Sequence, residues 1–198
     1  ATRMATVGDL LPKVNAYASY GTGERTTFEK SYKDGELNGE VISYSENGNI
    51  IEKVFMKGKL LNGDAFAYYP NGKLKEKDSF KNGKSEGESI IYYENGNIKN
   101  IANYDYGKLV GLVRNYEEDG KFSSTTYYEE GSNLTKWQFF YKDGKSIKKE
   151  GMAYDMGEEA EKRWIATGEW KYYSKAGKLQ KIETYENGEI IKIEVKNE

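Results

Sequence analysis

A glycine that recurs about every two dozen residues constrains the fold of this chain more than any other feature. Asn or Asp precedes it in most copies, a pairing typical of tight turns. The first five copies are spaced by 24 residues and the last by 33, so nine residues are inserted before the final copy. The pairs are Asn47-Gly48, Asn71-Gly72, Asn95-Gly96, Asp119-Gly120, Asp143-Gly144 and Ala176-Gly177.

Two further series of residues run in phase with this turn glycine. One consists of Gly35, Gly58, Gly83, Gly107, Gly131, Gly157 and Gly188. The other opens each repeat and consists of Gly39, Gly63, Gly87, Gly111, Thr135 in place of glycine, and Gly168. Three series locked in phase over five or six copies indicate a true repeat rather than a glycine-rich sequence.

Apolar and aromatic residues hold fixed positions between the glycines. An aromatic residue follows each opening position by five, at Tyr44, Tyr68, Tyr92, Tyr116, Phe140 and Tyr173. An apolar residue follows most turn glycines by two, at Ile50, Leu74, Ile98, Phe122 and Leu179. A further aromatic precedes each glycine of the second series by three, at Tyr32, Phe55, Phe80, Tyr104, Tyr128, Tyr154 and Tyr185.

This pattern predicts strands joined by tight hairpin turns. An Asn-Gly pair between alternating apolar runs indicates a type I′ turn, which needs positive φ at both central residues. Leu74 and Phe80 are six apart, an even number, so they are expected on the same side of one strand. A helix would be interrupted by glycine in every repeat. The predicted fold is therefore all-β: an elongated antiparallel β-meander of tandem 24-residue β-hairpin repeats in a single twisted open sheet.

The repeat also sets the predicted domain boundaries. Residues 1–16 do not match it and are expected to form an N-terminal leader or a cap. Residues 17–198 form the repeat array, with the nine-residue insertion within 145–167. Part of that insertion, residues 158–164, has the composition of a short helix. Loops that interrupt a repeat often carry binding residues, and a solvated loop is the alternative.

Composition argues against several classes of function. The chain has no Cys and no His, which excludes thiolate nucleophiles, zinc sites of the usual ligands and a Ser-His-Asp triad. Net charge is −2 with 30 basic and 32 acidic residues, so nucleic-acid binding is not expected. The acidic cluster near Asp155 lacks the spacing of a calcium loop. We therefore expect no catalytic residues, no cofactor, no metal and no transmembrane segment.

The densest group of aromatic residues is the candidate binding site. All three tryptophans belong to it, and Trp137 and Trp170 hold equivalent positions two residues after the opening residue of their repeats. These residues could pack as a local core beneath the inserted segment, or form an exposed patch of the kind found at interface hot spots. The six candidates are Trp137, Phe139, Tyr141, Trp164, Trp170 and Tyr172.

The pattern G-x-x-x-x-Y-Y-x-N-G-K-x-K, followed by Y-x-x-G-K-x-x-G, resembles the MORN-variant repeat. It is clearest in residues 63–87, which include Tyr68-Tyr69-Pro70-Asn71-Gly72-Lys73, and the resemblance extends over residues 20–195. It implies a bacterial protein that is either similar to the YwqK-type antitoxin family or exported and surface-associated. Thr135, Ala176 and the insertion depart from the pattern.

The expected function is therefore non-enzymatic binding of a protein partner, with export to the periplasm or cell surface favoured. The sequence starts at Ala1 without an initiator Met, as expected of a mature exported protein or a cloned fragment. A cytosolic antitoxin that sequesters a toxin is the first alternative. Binding of carbohydrate or peptidoglycan through aromatic rings is the second.

Overall fold

The computed structural model describes residues 27–157 and 163–196, and there the chain is built from sixteen antiparallel strands. Hydrogen-bonded neighbours follow chain order in an open sheet, with two short strands beside the main path. No helix occurs in these two ranges. The predicted all-β antiparallel meander of hairpin repeats is confirmed. The predicted leader or cap, residues 1–16, and residues 158–162 of the insertion lie outside the described residues.

The first of two compact units contains, among the described residues, 27–96 and 104–108. The register of this unit follows the repeat, because residues on neighbouring strands pair across the sheet. Val41, for example, pairs with Val54, and Val54 pairs with Ala65. Its strands are β1 (Thr27–Lys33), β2 (Glu36–Tyr44), β3 (Ile50–Lys57), β4 (Leu60–Tyr68), β5 (Leu74–Lys81), β6 (Lys84–Ser85) and β7 (Gly87–Tyr92).

The second unit contains, among the described residues, 97–103, 109–157 and 163–196, which include most of β8 and the end of β9. Its longest strand, β14, carries two of the three tryptophans. The strands are β8 (Ile98–Asp105), β9 (Lys108–Leu109), β10 (Gly111–Tyr116), β11 (Phe122–Tyr128), β12 (Leu134–Phe140), β13 (Ile147–Asp155), β14 (Trp164–Tyr173), β15 (Leu179–Glu186) and β16 (Glu189–Val195).

The two series of turns differ from each other in conformation, and the first differs from the predicted one. At Asn47-Gly48 only the glycine has positive φ, and Gly48 N–H donates to the Ser45 carbonyl, so the prediction of a type I′ turn there is wrong. That geometry is a type I turn followed by a glycine in the left-handed region. The type I′ turns occur in the second series, where Asn82 and Gly83 have φ of 51° and 78°.

Bulges beside the first turn series change which side chains share a face. Ala67 pairs with Glu76, but its neighbour Tyr68 pairs with Leu74, so one residue of β5 is extra. The equivalent bulge puts Phe122 against Tyr116 and Phe140, whereas Tyr128, six residues further along the strand, contacts Trp164. The expectation that residues six apart share a face is therefore wrong, because it assumed an uninterrupted strand.

Buried side chains lie on one face of each unit, and most of them are small or polar. In the first unit Val54, Met56, Leu61 and Ala65 form the core, with Phe80 packed against it. In the second unit the register places the buried residues on the face that also carries Trp137 and Trp170. These buried residues are Ala102, Val113, Ser124, Thr126, Thr135, Ala153, Trp170 and Glu183.

Candidate functional site

The candidate site is a row of aromatic rings on one face of the second unit. The register of β11, β12 and β13 aligns Thr126, Trp137 and Gly151 across three strands. Trp170 on β14 in turn pairs with Glu183 on β15. Because alternate residues of a strand point to opposite faces, this register collects side chains from five strands on one surface.

Six rings form a continuous chain of contacts, which we call the aromatic row. At its centre, Trp137 lies 4.8 Å from Trp164 in an edge-on arrangement and 5.7 Å from Phe139 in a stacked one. Phe139 and Trp170 are 6.3 Å apart between ring centroids. Such contacts stabilise ring pairs by about 0.5–1.5 kcal/mol beyond burial. The six members are Tyr128, Trp164, Trp137, Phe139, Trp170 and Tyr185.

Trp170 is held rigidly because its indole ring covers the backbone of Gly151. A Cβ built on Gly151 would come within 2.2 Å of the ring, so only glycine fits there. The indole N–H of Trp170 donates to the Met152 carbonyl oxygen at 2.9 Å, and that of Trp137 donates to Thr135 Oγ1 at 2.8 Å. With both N–H groups satisfied, the rings are fixed before any ligand arrives.

Three cations lie over rings of the aromatic row or over the nearby ring of Tyr172. Lys149 Nζ lies 4.6 Å from the centroid of Phe139 and 5.2 Å from that of Trp170, so it spans two members of the aromatic row. Arg163 lies over Trp164 at 4.9 Å, and Lys181 Nζ lies 4.2 Å from the centroid of Tyr172. Cations over ring faces are stabilised by about 0.5–1 kcal/mol at exposed sites. We call the row together with Tyr172 and these cations the aromatic–cation surface.

A buried carboxylate anchors one end of the surface. Glu183 Oε1 accepts from Lys181 Nζ at 2.7 Å, and its Oε2 accepts from the hydroxyls of Tyr172 and Tyr185. The Lys181 hydrogen bond and those of the tyrosines lower the pKa of Glu183 to about 2. Burial, together with the Glu183 hydrogen bond, raises the pKa of Tyr172. At neutral pH Glu183 is therefore ionised and Tyr172 keeps its proton.

Five of the six residues proposed from sequence come together on this surface, and Tyr141 does not. The Tyr141 hydroxyl donates to the Tyr173 carbonyl oxygen at 2.7 Å, and Tyr69 makes the equivalent bond to Tyr92 at 2.6 Å. Tyr141 therefore links neighbouring hairpins. Sequence reasoning missed Tyr128 and Tyr185, although the aromatic series three residues before each second-series glycine contained both.

The burial of the aromatic–cation surface is intermediate between the local core and the exposed patch that the sequence suggested. Trp170 is 7% exposed and belongs to the core. Trp137, Phe139, Trp164 and Tyr172 are half-buried, so each presents part of its ring to solvent. The surface is thus packed enough to be rigid and open enough to make contacts.

A second group of unusual side chains lies in the first unit. Glu52 is 8% exposed, its Oε1 has no hydrogen-bond partner, and burial raises its pKa to about 7. Burial also raises the pKa of Glu76 and of Asp78 on β5. The sequence did not indicate these carboxyls, because acidic residues are frequent in every repeat.

Two further properties bear on which ligands the chain could hold. Within residues 27–157 and 163–196, no three His, Cys, Asp or Glu side chains are grouped closely enough to hold a metal ion. Asp155, considered above for calcium, instead accepts a hydrogen bond from Gly157 N–H at 2.9 Å. In the described parts of the chain no helix has the length and apolar character needed to cross a membrane.

Comparison with known families finds a similar repeat. A family model described as MORN repeat variant matches residues 37–57, 61–82, 85–106 and 166–193. In these four segments, which together make up just under half of the chain, the sequence is similar to MORN-variant repeats. Two of the matched segments lie in the first unit, and the third, 85–106, has residues in both units. The fourth covers β15 and most of β14 and β16. The repeat favours a binding module.

Other comparisons add little to this. No curated protein sequence matches the chain. Among solved structures, the crystal structure of TarM shares 16% sequence identity over 50% of this chain, with a TM-score of 0.32. The chain spans 19% of the TarM chain. At that TM-score the likeness supports no argument about fold or function.

Proposed function

We propose that this MORN-variant repeat protein is a non-enzymatic binding module that holds a protein partner on the aromatic–cation surface of its second unit. The observation that carries the proposal is the position of Lys149, whose ammonium group lies over both Phe139 and Trp170. Trp, Tyr and Arg are the side chains that dominate interface energetics.

Rigidity favours tight binding here because little freedom is lost on association. The rings stand on adjacent strands, Trp170 is fixed over Gly151, and both indole N–H groups of the central tryptophans are bonded within the chain. Ordering a mobile side chain at an interface costs about 0.5–1.5 kcal/mol, and a fixed ring avoids most of that cost.

Charge on the surface supports a partner that presents acidic and apolar groups together. Lys149, Arg163 and Lys181 each lie over a ring. Lys181 is already paired with Glu183 and Arg163 with Asp155, which leaves Lys149 as the cation best placed for a carboxylate of the partner. A carboxylate bonded to a cation in a partly desolvated site contributes about 1.5–3 kcal/mol.

Two adjacent lysines provide the matched test. Lys149 points to the aromatic row, whereas Lys148 is its neighbour on β13 and points to the opposite face. Proteins captured from the native host by the wild-type chain should be lost with Lys149→Glu and retained with Lys148→Glu. Capture that is equal for both variants would contradict the proposal, since identical charge changes would then act alike on opposite faces.

The proposal has two versions, which differ in where the partner is met. An exported module meets its partner in the periplasm or at the cell surface, whereas a cytosolic antitoxin sequesters a toxin inside the cell. Fractionation of the native host, followed by detection of the chain in each fraction, separates them. A toxin among the proteins lost with Lys149→Glu would favour the antitoxin version.

Carbohydrate is the alternative ligand that aromatic rings and acidic groups also suit. A glycan array probed with the wild-type chain and with Lys149→Glu tests it directly. Glycan binding that depends on Lys149, together with no captured protein, would replace the protein partner with a carbohydrate one.

A further inference from the structure

The outer edge of the last strand is apolar and exposed. Among the described strands β16 pairs only with β15, so its other edge presents unpaired backbone groups. Four of its seven residues are exposed and apolar: Ile190, Ile191, Ile193 and Val195, at 46%, 61%, 55% and 68%. Proteins usually guard such an edge with charge or proline, because it otherwise pairs with another strand.

The phase of the ladder shows which residues of β16 can bond outward. Lys196 N–H donates to the Gln180 carbonyl oxygen of the neighbouring strand at 2.9 Å. In an antiparallel ladder alternate residues direct both backbone groups to the same side. Lys192, Glu194 and Lys196 therefore face β15, and Ile193 and Val195 direct their N–H and C=O groups outward.

With this phase, two β16 strands could pair about a two-fold axis at Lys192, Ile193 or Glu194. Of these three, only the axis at Ile193 sets complementary residues opposite each other. A two-fold axis at Ile193 sets Ile193 opposite its own copy, and Val195 then faces the bulge at Ile191 of the second chain. It also sets Lys192 opposite Glu194, twice, so that charges already paired within one chain meet their opposites in the other. An axis at Lys192 or at Glu194 would instead place two like charges directly opposite each other, which is destabilising.

We propose that two copies of this chain form a dimer by antiparallel pairing of their β16 strands about a two-fold axis at Ile193. The paired edges join two sheets into one and satisfy the backbone groups that β16 leaves open. Because Ile193 pairs with Glu183 within the chain, and Glu183 with Trp170, the dimer brings two aromatic–cation surfaces to either side of the seam.

The absence of native cysteine allows a direct test by cross-linking. Residues in a hydrogen-bonded antiparallel pair have Cα atoms about 5.5 Å apart, within the range of about 4.4–6.8 Å found for disulfides. Ile193→Cys should therefore form a disulfide dimer under mild oxidation. Ile190→Cys is the matched control, because its two copies would lie about 20 Å apart at roughly 3.4 Å per residue.

Charge exchange gives a second test that leaves the apolar residues intact. Light scattering of the wild-type chain at rising concentration should approach twice the 22.6 kDa of one chain. Lys192→Glu and Glu194→Lys should each weaken the dimer at least tenfold, and the double variant should restore it. Far-UV circular dichroism checks that each variant keeps its sheet.

Three results would overturn the dimer. One is a mass of a single chain at every concentration, and another is cross-linking that is equal at positions 190 and 193. The third is an open series of larger oligomers, which pairing of β16 with a different edge would produce. Loss of partner capture with Lys149→Glu does not bear on this pairing, so the two proposals fail independently.

Discussion

Replacing Glu52 with glutamine should remove a pH-dependent loss of stability from the first unit. Glu52 is 8% exposed, and burial alone raises its pKa from 4.5 to about 7. In the unfolded chain the carboxyl loses its proton near its ordinary pKa, whereas in the folded chain it keeps that proton to higher pH. The contribution of Glu52 to stability is therefore fully present below pH 4.5 and is lost as the pH rises through 7.

The size of the effect follows from the shift of that pKa. Each unit of pKa corresponds to about 1.4 kcal/mol of free energy. A carboxyl that titrates near 4.5 unfolded and near 7 folded therefore costs the wild type about 3 kcal/mol at pH 8 relative to pH 4. The amide side chain of the Glu52→Gln variant cannot ionise, so the variant should lose that much less over the same range.

Urea unfolding followed by far-UV circular dichroism at pH 4 to 8 measures the effect. The constant cost of an amide at this site cancels when stabilities at two pH values are subtracted. Glu88→Gln is the matched control, because Glu88 is exposed on β7. Glu76 and Asp78 keep their own pH dependence in both proteins, so only the difference between variant and wild type reports on Glu52.

Parallel pH profiles for Glu52→Gln and the wild type would refute the reasoning. Such a result would mean that water or a cation reaches the carboxylate and that its burial does not shift its pKa. A difference in the opposite direction would mean that Glu52 is stabilised as an anion in the folded chain.

Three further changes test other parts of the structure by urea unfolding. Glu183→Gln should cost about 2–3 kcal/mol at pH 7 because a carboxylate with three donors is lost. The contribution of Glu183 to wild-type stability should fall below pH 4.5 as that carboxylate, with its pKa near 2, gains a proton. An unchanged unfolding midpoint in the variant would show that the network is not formed. Gly151→Ala should cost at least about 1–3 kcal/mol by overpacking against Trp170, with a shifted tryptophan emission, and a variant of wild-type stability would show that the ring does not cover Gly151. Gly83→Ala should cost about 1 kcal/mol or more because φ is 78° there, and no loss would contradict the type I′ turn.

The repeat predicted the strand order because each hairpin contacts mainly its neighbours. A turn glycine, an aromatic five residues after the opening position and an apolar residue after the turn define one hairpin and its register. Tyr44 pairs with Ile50 and Tyr68 with Leu74, as that spacing requires. Local information was sufficient here, since in the described strands hydrogen-bonded neighbours follow chain order.

Turn type and side-chain faces were not predictable from the same pattern. An Asn-Gly pair suits a type I′ turn and also a type I turn followed by glycine, and loop length decides between them. The bulge that accompanies the second form adds one residue to a strand, so counting by twos past Leu74 fails. Sequence periodicity does not reveal a bulge, because a bulge is defined by how the backbones of two strands pair.

The candidate site was partly visible in the sequence. Trp137 and Trp170 hold equivalent repeat positions, and the structure places both on one face of the second unit. Tyr141 was included because it lies in the segment richest in aromatic residues, but its hydroxyl donates to a backbone carbonyl of the following hairpin. The position of Lys149 over two rings could not be predicted, since it depends on the Glu150–Met152 bulge that sets β14 against β13.

Lysine footprinting with the captured partner tests the central claim most directly. Acetylation of Lys149 and Lys148 would be measured by mass spectrometry with the partner absent and present. Binding on the aromatic–cation surface predicts that the partner protects Lys149 and leaves Lys148 unchanged. Protection of Lys148 without Lys149 would place the partner on the opposite face and contradict the account.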